Sequence, residues 1–105
     1  MHLLIVTFNL KGLSDAAYRQ SCEEEAPTFA ALPGLISKVW LADEPKNTYG
    51  GVYTFVDRDA VNAYIQSDLF KSFATDPTLS NLTTTAFEIL DGPSRVTRGY
   101  SAVAA

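Results

Sequence analysis

Apolar positions along this chain switch repeatedly between the spacing of a strand and that of a helix. His2 to Asn9 is largely apolar on both alternating sets: His2, Leu4, Val6 and Phe8 on one side, Leu3, Ile5, Thr7 and Asn9 on the other. That pattern predicts a strand covered on both faces. Lys11-Gly12-Leu13 reads as a turn. Ser14 then offers an N-cap, and Asp15 sets negative charge at the positive end of a helix dipole. Tyr18, Cys22, Ala26, Phe29 and Ala30 form the apolar stripe of an amphipathic helix. Pro27 removes a backbone donor and predicts a kink or a fresh short turn, and Pro33-Gly34 ends the helix.

The next two runs, Leu35 to Ala42 and Gly50 to Val56, read as strands joined by the polar break Asp43 to Thr48. Asp57 is a natural N-cap for a second helical region with the stripe Val61, Tyr64, Ile65, Leu69 and Phe73. Ser67-Asp68 inside it marks a fresh start, so two short helices at an angle are expected. Asp76-Pro77 is a turn, and Thr83 to Leu90 reads as a fourth strand. After Gly92-Pro93 the chain turns polar and then small. Residues 1–98 are expected to form one domain and 99–105 a C-terminal tail.

The order βαββαβ is that of an α+β, ferredoxin-like domain, with a four-stranded antiparallel sheet and both helical regions on one face. Strands that are apolar on both faces need a second cover. A second copy of the same sheet is the natural one, giving a homodimer of face-to-face sheets, a dimeric α/β barrel.

Composition narrows the function. A net charge of −4 with no Lys/Arg cluster argues against nucleic acid. No apolar run is long enough to span a bilayer, and the first residues lack the features of a signal peptide. A single cysteine, Cys22, cannot form an internal disulfide, and a cytoplasmic location is expected. The chain shows no His/Cys cluster of zinc type, no glycine-rich phosphate loop and no nucleophile elbow. The expected site therefore uses no metal and no cofactor.

Candidate chemistry gathers on the central hairpin. Lys38 and Trp40 stand two apart on one strand and share a face. Trp40 offers a flat apolar surface, and Lys38 a charge that stabilises an enolate or phenolate. The same residues also suit plainer roles: Trp40 in the core or a dimer interface, Lys38 snorkelling at a sheet edge. Tyr49 and Tyr53 lie across the hairpin, where a hydroxyl can donate to a carbonyl or act as a general acid, or simply pack in the core. His2 is the one side chain that ordinarily titrates near neutral pH, although a strand-start histidine is commonly solvated. Tyr64, Phe70 and Phe73 either line a space between helices and sheet or fill it. Cys22 is expected to be buried and inert, and Glu23-Glu24-Glu25 to face solvent. Lys38, Tyr53 and His2 are the catalytic candidates; Trp40, Tyr49, Tyr64 and Phe73 are the substrate-binding ones.

Gly34-Leu35-Ile36-Ser37-Lys38-Val39-Trp40, followed by Gly50-Gly51-Val52-Tyr53 and Ser67-Asp68-Leu69-Phe70, resembles the YdhR-like monooxygenase family over roughly residues 1 to 98. That family belongs to the dimeric α/β-barrel superfamily, with the antibiotic-biosynthesis monooxygenases, haem-degrading enzymes and small isomerases or cyclases. The resemblance implies the dimeric ferredoxin-like fold and a cofactor-free monooxygenase acting on a small aromatic or polyketide-like substrate. In the quinone-forming relatives the deprotonated substrate itself supplies electrons to oxygen. The residue set associated with those relatives is not matched position by position here. A non-redox isomerase, cyclase or lyase, or a non-catalytic small-molecule-binding protein, would use the same scaffold.

Overall fold

β1 (His2–Leu10) is a central strand, and its alternation sets the two faces of the sheet. In the computed structural model, which describes residues 1–99, the elements continue as α1 (Asp15–Ala30), β2 (Leu35–Asp43), β3 (Thr48–Phe55), α2 (Arg58–Ile65), α3 (Asp68–Ala74), β4 (Leu79–Glu88) and α4 (Asp91–Val96). The strands run in the order β2-β3-β1-β4, all antiparallel. This is the ferredoxin-like arrangement that the periodicity predicts. Of the expected tail, residues 100–105 lie outside the described residues.

α1, α2 and α3 each begin where a short polar side chain can take an orphan amide. The Ser14 hydroxyl accepts from Ala17 N at 3.1 Å, Asp57 from Ala60 N at 2.8 Å and Ser67 from Phe70 N at 3.2 Å. The break at Ser67-Asp68 is thus a capped restart. α1 runs unbroken through Pro27 to Ala30, so no fresh turn begins there. Packing of Phe29, which is 2% exposed, holds the last turn despite the missing donor.

Two features differ from the expected elements. β4 starts at Leu79 rather than Thr83 and stops at Glu88. Its first residues pair with the end of β1 across a register shift between Thr7 and Asn9, where β4 carries one extra residue. Asn81 takes φ 54° there, and its amide donates to Asn9 Oδ1 at 2.9 Å. A bulge built on Ser80-Asn81 carries no strand propensity, which is why the pattern starts late. α4 holds Gly92 and Pro93 in its first turn, where proline removes only an amide that has no intrahelical partner.

The core lies between the helices and one face of the sheet: Leu4 and Val6 from β1, Tyr53 and Phe55 from β3, Phe29 from α1, Val61 and Tyr64 from α2, Phe70 from α3. The other face carries Leu3, Ile5, Val52 and Leu41 half-buried, with Val39 59% and Phe87 51% exposed. The strands are therefore apolar on both faces while the described residues cover only one.

Candidate functional site

A second register shift aims the hairpin's key residues. Between Leu35 and Ser37, β2 gains one residue against β3, so Leu35 lies beside Phe55 while Lys38 lies beside Tyr53 and Trp40 beside Gly51. The shift turns Lys38 and Trp40 onto the helix-covered face together with Leu35. Without it, alternation from Leu35 would send both to the open face.

Gly51 completes the arrangement. A Cβ at this position would sit 2.7 Å from Lys38 Cε, so its missing side chain is the space through which the lysine stem passes. The Lys38 amine ends 3.4 Å from the Trp40 ring centre, 3.5 Å from Phe29 and 4.7 Å from Tyr53. Among the described residues no carboxylate forms an ion pair with it. Lys38 does not snorkel outward from its edge strand; it turns inward over three π faces. Burial lowers its pKa from 10.5 to about 7, against the opposing pull of Cys22 and Glu25.

These residues line one wall of a cavity of about 110 Å³ between the sheet and α1 and α3. α1 contributes Tyr18, Cys22, Glu25 and Phe29, a single face at spacings of four, three and four. Trp40, Phe29 and Phe73 follow one another across the cavity: Phe29 meets Trp40 edge-on at 5.1 Å and stacks on Phe73 at 5.6 Å. The Tyr53 and Tyr64 hydroxyls are 2.9 Å apart and buried. One hydroxyl donates to the other, so one proton remains for a guest oxygen. Desolvation pushes Tyr53 far up and Tyr64 to about 12, which keeps both as neutral donors. Burial likewise raises the Cys22 thiol and the Glu25 carboxyl.

Of the residues expected from sequence, Lys38, Trp40, Tyr53, Tyr64, Phe70 and Phe73 meet around this cavity. Tyr49 and His2 do not. The Tyr49 hydroxyl donates to Asp15 Oδ1 at 2.6 Å, and Arg19 Nε donates to Asp15 Oδ2 at 2.7 Å. That contact ties the start of α1 to β3, lowers the Asp15 pKa and raises Tyr49 to about 12. His2 is 8% exposed rather than solvated and lies toward the other end of β1, roughly 13 Å along the strand from Val6. Three residues of the lining carry more than their sequence reading gave them. Cys22 faces the cavity, Glu25 lies at its rim while exposed like the rest of its run, and Phe29 is its central ring. The signal was the Tyr18-Cys22-Glu25-Phe29 spacing, hidden because a glutamate does not count toward an apolar stripe.

Among the described residues no three His, Cys, Asp or Glu side chains gather as a metal-binding group. No helix is long and apolar enough to cross a membrane. What the cavity offers instead is one amine, two coupled phenols and a stack of aromatic faces. That set can hold a planar guest, receive or return its proton and stabilise the resulting anion.

Comparison with known proteins places the fold and the family. No curated protein sequence matches the chain. Among solved structures, a protein of unknown function from Nitrosomonas europaea superposes with a TM-score of 0.70, covering 85% of this chain and 88% of its own at 22% identity. SnoaB, a cofactor-independent oxygenase from Streptomyces nogalater, superposes at 0.65, covering 84% and 91% at 22% identity. The haem-degrader MhuD from Mycobacterium tuberculosis superposes at 0.68, covering 86% and 96% at 14% identity. These likenesses concern the fold, which hosts more than one chemistry. The family model described as putative mono-oxygenase ydhR matches residues 3–100, nearly the whole sequence, and the chain belongs to that family.

Proposed function

We propose that this chain is a cofactor-free monooxygenase acting on a compact aromatic phenol or enol. The observation that carries the reading is the Lys38 amine, enclosed by Trp40, Phe29 and Tyr53 in a cavity and free of ion pairs among the described residues. With a pKa of about 7, a large share of Lys38 is neutral at neutral pH and can accept the guest's proton. The ammonium so formed then faces the anion it created, in surroundings that hold little water. The Tyr53–Tyr64 pair supplies a hydrogen bond to a second oxygen of the ring system.

The electrons come from the substrate. Its anion gives them to dioxygen; a ring CH₂ becomes C=O, one oxygen atom enters the product and the other leaves as water. No external reductant is needed for that balance. The cavity volume sets the size of guest. About 110 Å³ is less than the ~150 Å³ of an engineered cavity that admits benzene, so a single ring fits with small adjustments. We also propose that two copies pair through the open sheet face, and that a reducing cytoplasm suits the single cysteine.

The test is oxygen uptake by metal-free protein supplied with single-ring phenols and hydroquinones. One oxygen molecule should be consumed per substrate. Lys38→Met should lower kcat/KM by about 100-fold or more, and Trp40→Ala and Tyr53→Phe by smaller factors. Absence of uptake across the panel, or uptake unchanged in these variants, overturns the reading.

A further inference from the structure

We propose that Lys38 is also a nucleophilic amine that captures aromatic aldehydes as imines within the same cavity. Four features of the site converge on this. The amine lines the cavity. Its stem reaches there through the gap left by Gly51. The ring centres of Trp40 and Phe29 lie 3.4 and 3.5 Å from it and would offer a planar aldehyde an aromatic wall. No ion pair among the described residues holds it as an ammonium. A lysine desolvated in an apolar pocket is the ordinary form of an activated amine nucleophile. The other three lysines, Lys11, Lys46 and Lys71, are exposed.

The step balances without any further reagent. The nitrogen lone pair attacks the carbonyl carbon, and the C=O π electrons pass to oxygen. The two amine hydrogens leave with that oxygen as water while the C=N bond forms; hydrolysis reverses it. The Tyr53–Tyr64 hydroxyl pair lines the same cavity and would carry protons between nitrogen and the departing oxygen. A protonated imine would rest on the same π faces that now hold the ammonium. The inference shares the cavity with the proposed oxygenase but none of its oxygen chemistry.

The experiment uses the full chain at pH 7 with 4-hydroxybenzaldehyde and cyanoborohydride, which fixes any imine as a secondary amine. Intact mass and peptide mapping then locate the adduct. Lys38 should be labelled at least tenfold faster than Lys11, Lys46 and Lys71. Propanal, which has no ring to stack, should show no such preference. Trp40→Leu should slow labelling at Lys38 while leaving the exposed lysines unchanged, and Lys38→Arg should abolish the fast adduct. Labelling of Lys38 no faster than the exposed lysines, or a fast adduct that maps to the Met1 amine, overturns the proposal. Mapping on the unaltered chain decides this even where a variant fails to fold. An adduct without oxygen uptake removes only the oxygenase reading; oxygen uptake without an adduct removes only this one.

Discussion

The Lys38 side chain is held in its cavity at a cost that depends on pH. Burial lowers its pKa from the ordinary 10.5 to about 7. Between those two values the unfolded chain binds a proton that the folded chain does not, so this group's contribution to stability rises with pH across that window. Below about pH 7 the fold carries the full cost of a buried ammonium, offset only by the π faces of Trp40, Phe29 and Tyr53. Lys38→Met keeps most of the stem's packing and removes the charge. The variant should be more stable than the parent by about 1–2 kcal/mol at pH 6, and the difference should shrink toward zero by pH 10. Urea unfolding of both proteins at the two pH values measures this, and other titrating groups cancel in the comparison. A difference constant with pH, or a loss of stability at pH 6, would show that the amine is solvated. At this scale the sequence reveals which residues carry chemistry but not where they point. Lys38 and Trp40 are evident as a pair two apart, while the face they occupy depends on one extra residue near Ile36. A one-residue shift reverses the facing of every later side chain, and no propensity marks it.

Elements are joined at the hairpin tip by Asn47, whose importance the polar break Asp43 to Thr48 conceals. Its side-chain oxygen accepts from Leu10 N at 3.1 Å and its amide donates to Leu10 O at 2.9 Å, as a neighbouring strand would. Its own carbonyl accepts from Asn9 Nδ2 at 2.7 Å. The residue sits at φ 49°, in the left-handed region that asparagine tolerates. Two effects are thus combined, and two variants separate them. Asn47→Gly suits the backbone but loses the side-chain bonds, and should destabilise by about 1–2 kcal/mol. Asn47→Ala loses the same bonds and adds backbone strain, so it should be worse by roughly a further 1 kcal/mol. Chemical denaturation of the three proteins checks the order; equal losses would remove the backbone contribution. The capped helices were readable because Ser14, Asp57 and Ser67 satisfy amides within their own turn. The first residues of β4 were not, because Asn81 and Asn9 answer each other across 72 residues of chain. Local chemistry shows in sequence; partners brought together by the fold do not.

For the whole molecule, the surface that calls for a cover is the open sheet face. Leu3 pairs across to Phe87, Ile5 to Val52 and Thr85, and Val39 to Val52, so their side chains form one apolar surface opposite the helices. Val39 and Phe87 are more than half exposed there. Contiguous apolar surface of this kind is uncommon on a chain that functions alone. A second copy related by a two-fold axis would meet the same residues, which makes every substitution on the face count twice. Ile5→Glu, at the middle of a central strand, would place two carboxylates in that interface and should shift the chain from the mass of two copies to the mass of one in sedimentation at micromolar concentration. The unaltered protein should also melt at higher temperature as its concentration rises, because association stabilises only the folded chain. That second measurement stands even where Ile5→Glu fails to fold. An unaltered chain that sediments as a single copy, with a melting temperature independent of concentration, would mean that the face is left open. The cavity lies on the opposite face of the sheet, among residues of all four strands and of α1, α2 and α3. A folded single-copy variant should therefore still acquire the imine adduct at Lys38, which separates the chemistry of the cavity from any pairing of copies across the sheet behind it.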